Sequence, residues 1–90
     1  MDEYKKYLLD QANWLDKYKI KKGSVISIER AAESYKFGWA AGWPKDMDVL
    51  IGKRVIVDLI DGNYGISFFY LRDRYYVPYF ICRTPKLRIG

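Results

Sequence analysis

The sequence contains no histidine and a single cysteine, Cys82. One cysteine excludes a disulfide within the chain, and the scarcity of both residue types excludes a zinc site of the ordinary ligand set. The usual pairs of a nucleophile and a histidine base are missing as well. Cys82 lies in the apolar run YFIC, where a thiol is most often a packing residue. These absences predict a protein that is not an enzyme and that uses neither a metal nor a cofactor.

Long apolar runs are also missing from the chain. No window approaches the ~18 apolar residues that a membrane-spanning helix needs. The residues after Met1 are the acidic Asp2 and Glu3, which do not begin an apolar leader. We therefore expect a soluble, cytoplasmic protein without a membrane partner, and the sequence leaves its oligomeric state open.

Aromatic residues are abundant, with nine Tyr, four Phe and three Trp among 90 residues. A chain of this length forms one domain, predicted to span residues 1–90, and buries only ~60–65% of its unfolded surface. Each buried aromatic side chain removes ~150–250 Å² from water. The composition therefore predicts a small core held together by large rings.

A helical pattern covers residues 3–19, with Asp2 as the expected N-cap and Gly23 as a stop signal. The helix has one apolar row with an aromatic flank beside it, and we expect its aromatic side chains to pack on the barrel, with Trp14 at the seam. The row consists of Tyr4, Leu8, Ala12 and Leu15, and the flank of Tyr7, Trp14 and Tyr18.

From Ser24 the period changes to two, and Val25, Ile26 and Ile28 predict a first strand that leads into Arg30. The clearest strand is 54–60, in which Val55, Val57 and Leu59 face one way and Ile56 and Ile60 face the other. Asp61-Gly62-Asn63 predicts a tight turn into a strand at 64–70, followed by a polar reversal at 72–74. A strand at 75–82, interrupted near Pro78 by a possible 3₁₀ turn, and a short strand at 86–89 complete the pattern.

This pattern favours an α+β, mainly β fold: a small SH3-like five-stranded barrel, about residues 23–90, with an N-terminal amphipathic helix. An OB-type barrel is the main alternative, although it would normally have longer strands and a helix between the third and fourth.

The segment from Tyr35 to Asp48, YKFGWAAGWPKDMD, gathers large apolar side chains without helical or strand periodicity. Such a loop either caps the core or presents its rings to a partner. The first hypothesis is protein or peptide binding, because interfaces use aromatic anchors. The predicted contact residues are Tyr35, Phe37, Trp39 and Trp43, opposite Tyr76 and Tyr79. Trp39 has an equal alternative role as a plug that folds inward.

The second hypothesis is nucleic-acid binding, because the net charge is +5 and tyrosines alternate with arginines around residues 70–76. Stacking needs exposed rings beside cations. The candidates are Tyr64, Tyr70, Tyr75 and Tyr76 for stacking, and Arg54, Arg72, Arg74, Arg83, Lys86 and Arg88 for phosphates. A third hypothesis is an oligomer that encloses a nucleotide between such groups.

Residues 23–82, GSVISIERAAESYKFGWAAGWPKDMDVLIGKRVIVDLIDGNYGISFFYLRDRYYVPYFIC, resemble the small SH3-like proteins of bacteriophages and prophages. The pattern is a strand, a GW…W…MD loop, an IGK step into the second strand and a YxxPYFxL-type ending. The layout also resembles the eukaryotic MIB/HERC2 domain, whose barrel binds peptides. The resemblance implies a binding module that engages a bacterial host or defence protein in the host cytoplasm. Inhibition of that protein is one outcome that the resemblance allows. It transfers no catalytic residue.

Overall fold

The computed structural model describes residues 2–84, which form one helix and a mainly β structure. The helix α1 runs from Glu3 to Lys17. The strands are β1 (Val25–Ile28), β2 (Arg54–Asp61), β3 (Gly65–Tyr70), β4 (Asp73–Val77) and β5 (Cys82–Arg83). The connections within the same residues contain the 3₁₀ helices η1 (Lys45–Leu50), η2 (Gly62–Tyr64) and η3 (Tyr79–Ile81).

The five strands form one antiparallel sheet in the order β4-β3-β2-β1-β5. Strands β4 and β5 are its two edges, so the sheet is open. The predicted α+β, mainly β class with one helix is confirmed. The strand predicted at residues 86–89 lies outside the described residues, and β5 instead follows the 3₁₀ turn after Pro78.

Helix α1 begins as predicted, because the Asp2 side chain accepts a hydrogen bond from the backbone N–H of Lys5 at 2.9 Å. The expected packing of the aromatic flank is correct at Tyr7, which is buried, and at Trp14, which packs against the core, and wrong at Tyr18, which is exposed. In the other row Leu15 packs against the core, whereas Tyr4 and Leu8 are exposed. Gln11, which the pattern did not assign to the interior, is buried as well. The Gln11 amide explains the difference. It accepts a hydrogen bond from the Tyr7 hydroxyl at 2.8 Å and donates one to a main-chain carbonyl of η2 at 3.1 Å, so a polar side chain can pack inward.

The core lies on one face of the sheet and is closed by η1. Its buried members are Ile26, Ile28, Met47, Leu50, Val55, Val57, Ile66, Phe68, Val77 and Ile81. The predicted alternation of β2 is correct at Val55 and Val57 and wrong beyond them. A bulge between Val57 and Leu59 shifts the register, which leaves Leu59 exposed and packs Ile60 against the core.

Two short turns complete the sheet. The predicted turn after β2 is present as η2, and Gly65 follows it with φ of 100°. A β carbon on Gly65 would meet the backbone of Val77, so only glycine fits there. The reversal between β3 and β4 lies at Leu71 and Arg72, one step before the predicted one, and Leu71 has φ of 61°.

Candidate functional site

The loop after β1 exposes two aromatic side chains on an unusual backbone. Tyr35 and Phe37 are 68% and 61% exposed, and their φ angles are 58° and 59°. A residue with a β carbon costs ~1–2 kcal/mol in this left-handed region. Such conformations persist only when the surrounding structure enforces them, and they cluster at functional sites. The loop therefore presents these two rings in a fixed direction.

Trp39 helps to hold the loop backbone in this conformation. Its side chain is fully buried, and its indole N–H donates a hydrogen bond to the carbonyl of Tyr64 at 2.6 Å. The Asn63 side chain donates to the carbonyls of Gly38 and Tyr4, each at 3.0 Å. Of the two alternatives for Trp39, the structure has the plug. In this conformation its ring has no surface to offer a partner, contrary to the predicted contact role.

Trp43 lies at the edge of the core and is half-buried. Its indole N–H donates to the Asp48 carboxylate at 2.8 Å, and its backbone N–H donates to the Ser34 hydroxyl at 2.7 Å. These bonds tie the loop to η1. Part of the Trp43 ring stays accessible, but its polar end is already occupied.

The groove predicted between this loop and η3 is filled by α1. The Tyr7 ring lies 5.3 Å from the ring of Tyr79 and 6.3 Å from that of Phe80. At Gly38 (φ 85°) a β carbon would come within 2.5 Å of the Glu3 carbonyl oxygen. Burial raises the pKa of the Tyr7 hydroxyl. The helix and the loop are thus in direct contact, and Tyr79 is only half-exposed.

An open cleft of about 170 Å³ remains where α1, the loop and η3 meet. Phe37 packs edge-on against Phe80 at 5.9 Å on one side of it. Its lining consists of Glu3, Lys6, Tyr7, Asp10, Phe37, Tyr79 and Phe80. We call the loop surface the set formed by the exposed Phe37, the half-buried Tyr79 and Phe80 that line the cleft, and the exposed Tyr35 on the same loop.

Both signs of charge border this cleft. The Lys6 ammonium lies 2.6 Å from the Asp10 carboxylate. The hydrogen bond to Asp10 raises the pKa of Lys6, so the ammonium stays charged. Burial, followed by the Asp10 charge, raises the pKa of the Tyr79 hydroxyl, which therefore stays a neutral hydrogen-bonding group. The cleft combines an apolar floor with polar groups at its edge.

Tyr76 does not join the loop surface, so the predicted arrangement opposite the loop is wrong for this residue. It pairs with Ser67 on the side of the sheet that faces away from the core, and its ring lies 5.9 Å from that of Tyr64. Alternation along β4 is the reason, because Tyr75 and Val77 point to the core and Tyr76 between them cannot.

The predicted nucleic-acid residues are only partly brought together. Arg54, Arg74 and Arg83 lie on the side of the sheet away from the core, whereas Tyr70 and Tyr75 pack against the core. Arg54 and Arg83 flank Ser27 of β1, at the opposite end of β2 from Tyr64. Arg72 is in the β3–β4 turn. Two of the cations are paired within the chain, Arg74 with Asp58 at 2.8 Å and Arg83 with Glu29 at 3.2 Å. Lys86 and Arg88 lie outside the described residues.

The same side of the sheet carries exposed apolar side chains that the sequence did not assign to a site. We call it the outer sheet face, formed by Val25, Ile56, Leu59, Phe69, Arg74 and Tyr76. A sequence signal was available in β2 and β3, RVIVDLID and GISFFY, which are apolar at successive positions. Strands with two apolar faces need a cover on each, and one helix can supply only one.

Cys82, the one cysteine of the chain, lies at the start of β5. The Cys82 sulfur lies 3.5 Å from the Pro78 carbonyl oxygen, and burial raises the pKa of this thiol. Among residues 2–84, no three His, Cys, Asp or Glu side chains gather in a way that could hold a metal ion. No helix in that stretch has the length and apolar character to cross a membrane.

No family model matches the chain, and comparisons with curated proteins and with solved structures gave no match either.

Proposed function

We propose that this protein is a non-enzymatic binding module that engages another protein through the loop surface. The resemblance to small phage proteins makes a bacterial host or defence protein the proposed partner, met in the host cytoplasm, with inhibition as one result of binding. The observation that carries the proposal is the exposed ring of Phe37, held on a left-handed backbone beside an open cleft.

Rigid presentation supports a binding role. Association loses affinity when side chains and loops must be ordered, at ~0.5–1.5 kcal/mol for each mobile side chain. Here Trp39, Asn63 and Gly38 fix the loop backbone before any partner arrives. Phe37 and Tyr35 are then pre-organised anchors of the type that dominates interface energetics.

The arrangement of elements supports the SH3-like part of the proposal. The strand order, the long connection from residue 29 to residue 53 and the 3₁₀ turn before β5 are those expected of such a fold. In it, ligands meet the first loop and the turn before the last strand. Helix α1 occupies the middle of that region, so the proposed contact lies at its border, where Phe37 and Phe80 remain open.

The size of the cleft indicates what it can accept. Pockets for drug-sized ligands measure ~300–1,000 Å³, and this cleft is about 170 Å³. It suits one apolar side chain of a protein, with Lys6 and Asp10 available to a neighbouring polar group. This favours a protein partner over an enclosed small molecule.

Nucleic-acid or nucleotide binding is the second candidate, favoured by the exposed ring of Tyr64 beside that of Tyr76. Against it, Arg74 and Arg83 are already paired with carboxylates. A phosphate would have to compete with those ion pairs. Because these two arginines are already paired with carboxylates, we prefer protein binding to nucleic-acid binding as the proposal.

The deciding experiment passes bacterial lysate over the immobilised protein with and without nuclease and identifies retained molecules by mass spectrometry. A stoichiometric protein that survives nuclease supports the proposal. Retention that disappears with nuclease, or a nucleotide absorbance spectrum in the purified protein, assigns the chain to the second candidate.

Two matched variants locate the contact. Phe37→Ala should reduce capture of that protein at least ~10-fold, because it removes an aromatic anchor. Phe69→Ala removes the same side chain at a similar exposure, 55%, on the outer sheet face and should leave capture unchanged. If Phe69→Ala abolishes capture and Phe37→Ala does not, the loop surface is not the contact. Circular dichroism checks that both variants fold.

A further inference from the structure

The outer sheet face has an apolar centre that nothing in residues 2–84 covers. Val25 pairs with Ile56 across β1 and β2, and the register that joins Val57 to Phe68 places Phe69 beside Ile56. Their exposed fractions are 44%, 63% and 55%. Leu59 and Tyr76, both opposite Ser67, extend this row toward Tyr64. The result is a group of exposed apolar side chains on four strands, interrupted by Ser67 and by the ion pair of Arg74 and Asp58.

The charges on this face are largely satisfied within the chain. The Arg74 guanidinium lies over the Phe69 ring at 4.4 Å, contacts Asp58 at 2.8 Å and donates to the Ser67 hydroxyl at 2.6 Å. Arg83 at the edge pairs with Glu29. None of the five strands contains a lysine, and lysine is depleted where proteins associate. Arg54 and Asp61, at opposite ends of β2, add one charge of each sign without an ion-pair partner among residues 2–84.

The charge pattern indicates which occupant fits. The chain carries a net charge of +5, so two copies repel each other through most orientations. The outer sheet face is the region where positive and negative groups are already matched, so two copies can approach there without that repulsion. It offers a charged foreign partner little to match. Sheet faces also pack on one another ~10 Å apart.

We propose that two copies of this chain associate by packing outer sheet face against outer sheet face about a two-fold axis. Such isologous pairs are the commonest oligomers. The combined lengths of the five strands, at ~3.3 Å per residue and ~4.8 Å between neighbouring strands, give the face an extent of about 400 Å². This lies below the ~800 Å² per partner of a standard interface. The dimer is therefore a concentration-dependent one. The proposal goes beyond the loop surface and does not depend on it.

Sedimentation velocity from ~5 to ~500 µM, the range in which a weak dimer forms, tests the proposal. The wild-type protein should move from the 10.7 kDa monomer to twice that mass. Ile56→Asp should lower the association constant at least ~30-fold, because it puts a charge in the apolar centre. Val49→Asp is the matched control, since Val49 is 57% exposed but lies in η1, and it should leave association unchanged.

A cross-link supplies an independent readout. Ile56→Cys near the two-fold axis should give an oxidised dimer readily, whereas Val49→Cys should not. A wild-type protein that stays monomeric throughout the range overturns the proposal, and so does a dimer that Ile56→Asp leaves intact. If the monomer instead captures a lysate protein or an oligonucleotide and Ile56→Asp prevents this, the face belongs to that other occupant and the second copy is excluded. Partner capture by the loop surface is unaffected by Ile56→Asp, so the two proposals fail separately.

Discussion

The indole N–H of Trp39 donates to the main-chain carbonyl of Tyr64 over 2.6 Å, and this bond fastens the long first connection to the turn between β2 and β3. Trp39 and Tyr64 are far apart in sequence, and the ring of Trp39 is fully buried. The loop that displays Tyr35 and Phe37 is therefore built around an interior residue.

Substitution of Trp39 should destabilise the protein strongly. Trp39→Phe removes the hydrogen bond and part of the ring, and we expect a loss of ~2–3 kcal/mol in the free energy of unfolding. Trp43→Phe is the matched control, because its hydrogen bond to Asp48 is exposed, and it should cost under ~1 kcal/mol. Urea denaturation measures both. Equal losses would contradict the plug role.

Gly38→Ala should loosen the contact between α1 and the loop. The new β carbon would lie 2.5 Å from the Glu3 carbonyl oxygen on a backbone with φ of 85°, and we expect ~2–4 kcal/mol of destabilisation from strain and overlap together. Gly23→Ala has a similar φ, 92°, but no atom within 4 Å, so it should cost only ~1 kcal/mol. Thermal unfolding of the two variants gives the comparison, and a smaller loss at Gly38 would be inconsistent with the observed packing.

The ion pair of Arg74 and Asp58 should couple measurably. Their side chains are 32% and 24% exposed, so solvent screens the pair only in part, and a double-mutant cycle with alanine should give ~0.5–1 kcal/mol. The pair of Lys6 and Asp10 on the exposed side of α1 should give less. High salt should weaken both. No coupling in the Arg74 cycle would show that the outer sheet face lacks the ordered centre described above.

Alkaline pH should destabilise the fold. Burial raises the pKa of Tyr7 and of Cys82 above their ordinary values of ~10 and ~8.5. When the pH lies between the ordinary pKa and the raised pKa of a group, that group is deprotonated in the unfolded chain but still protonated in the folded chain. The free energy of unfolding is therefore highest below the ordinary pKa and falls as the pH rises above it. Each group contributes up to ~1.4 kcal/mol per pH unit. Urea denaturation between pH 7 and ~11 should show the fall, and Tyr7→Phe should reduce its slope above pH ~10. An unchanged slope in that variant would argue against burial of the hydroxyl.

Local patterns predicted the elements well. The helix cap at Asp2, the strand around Val55 and Val57, the turn at Gly62 and the 3₁₀ turn after Pro78 all follow from residues close together in sequence. Each depends on backbone preferences or alternation that a short window contains.

The face that each element buries was harder to predict. Gln11 is buried because its side chain donates a hydrogen bond to the carbonyl of Gly62, which is far away in sequence. Hydrophobic periodicity within the helix contains no information about that partner. The bulge after Val57 turns Leu59 outward, and no residue type in β2 marks it. The loop surface was predicted in part, at Tyr35, Phe37 and Tyr79. The positions of Trp39 and Tyr76 could not be predicted in this way, because they depend on tertiary contacts. Those contacts direct Trp39 into the interior and Tyr76 to the side of the sheet away from the core.

Docking of α1 also sets an order of events during synthesis. The helix leaves the ribosome before its anchors do: the carbonyl of Gly62 that Gln11 reaches is made some fifty residues later, and the rings of Tyr79 and Phe80 later still. Until then Tyr7 and Trp14 have no counterpart to pack against, and the nascent chain displays an aromatic helix face. Such long-range contacts close only after most of the chain is available. Completion of the C-terminal segment is thus the step that commits the N-terminal helix to its place.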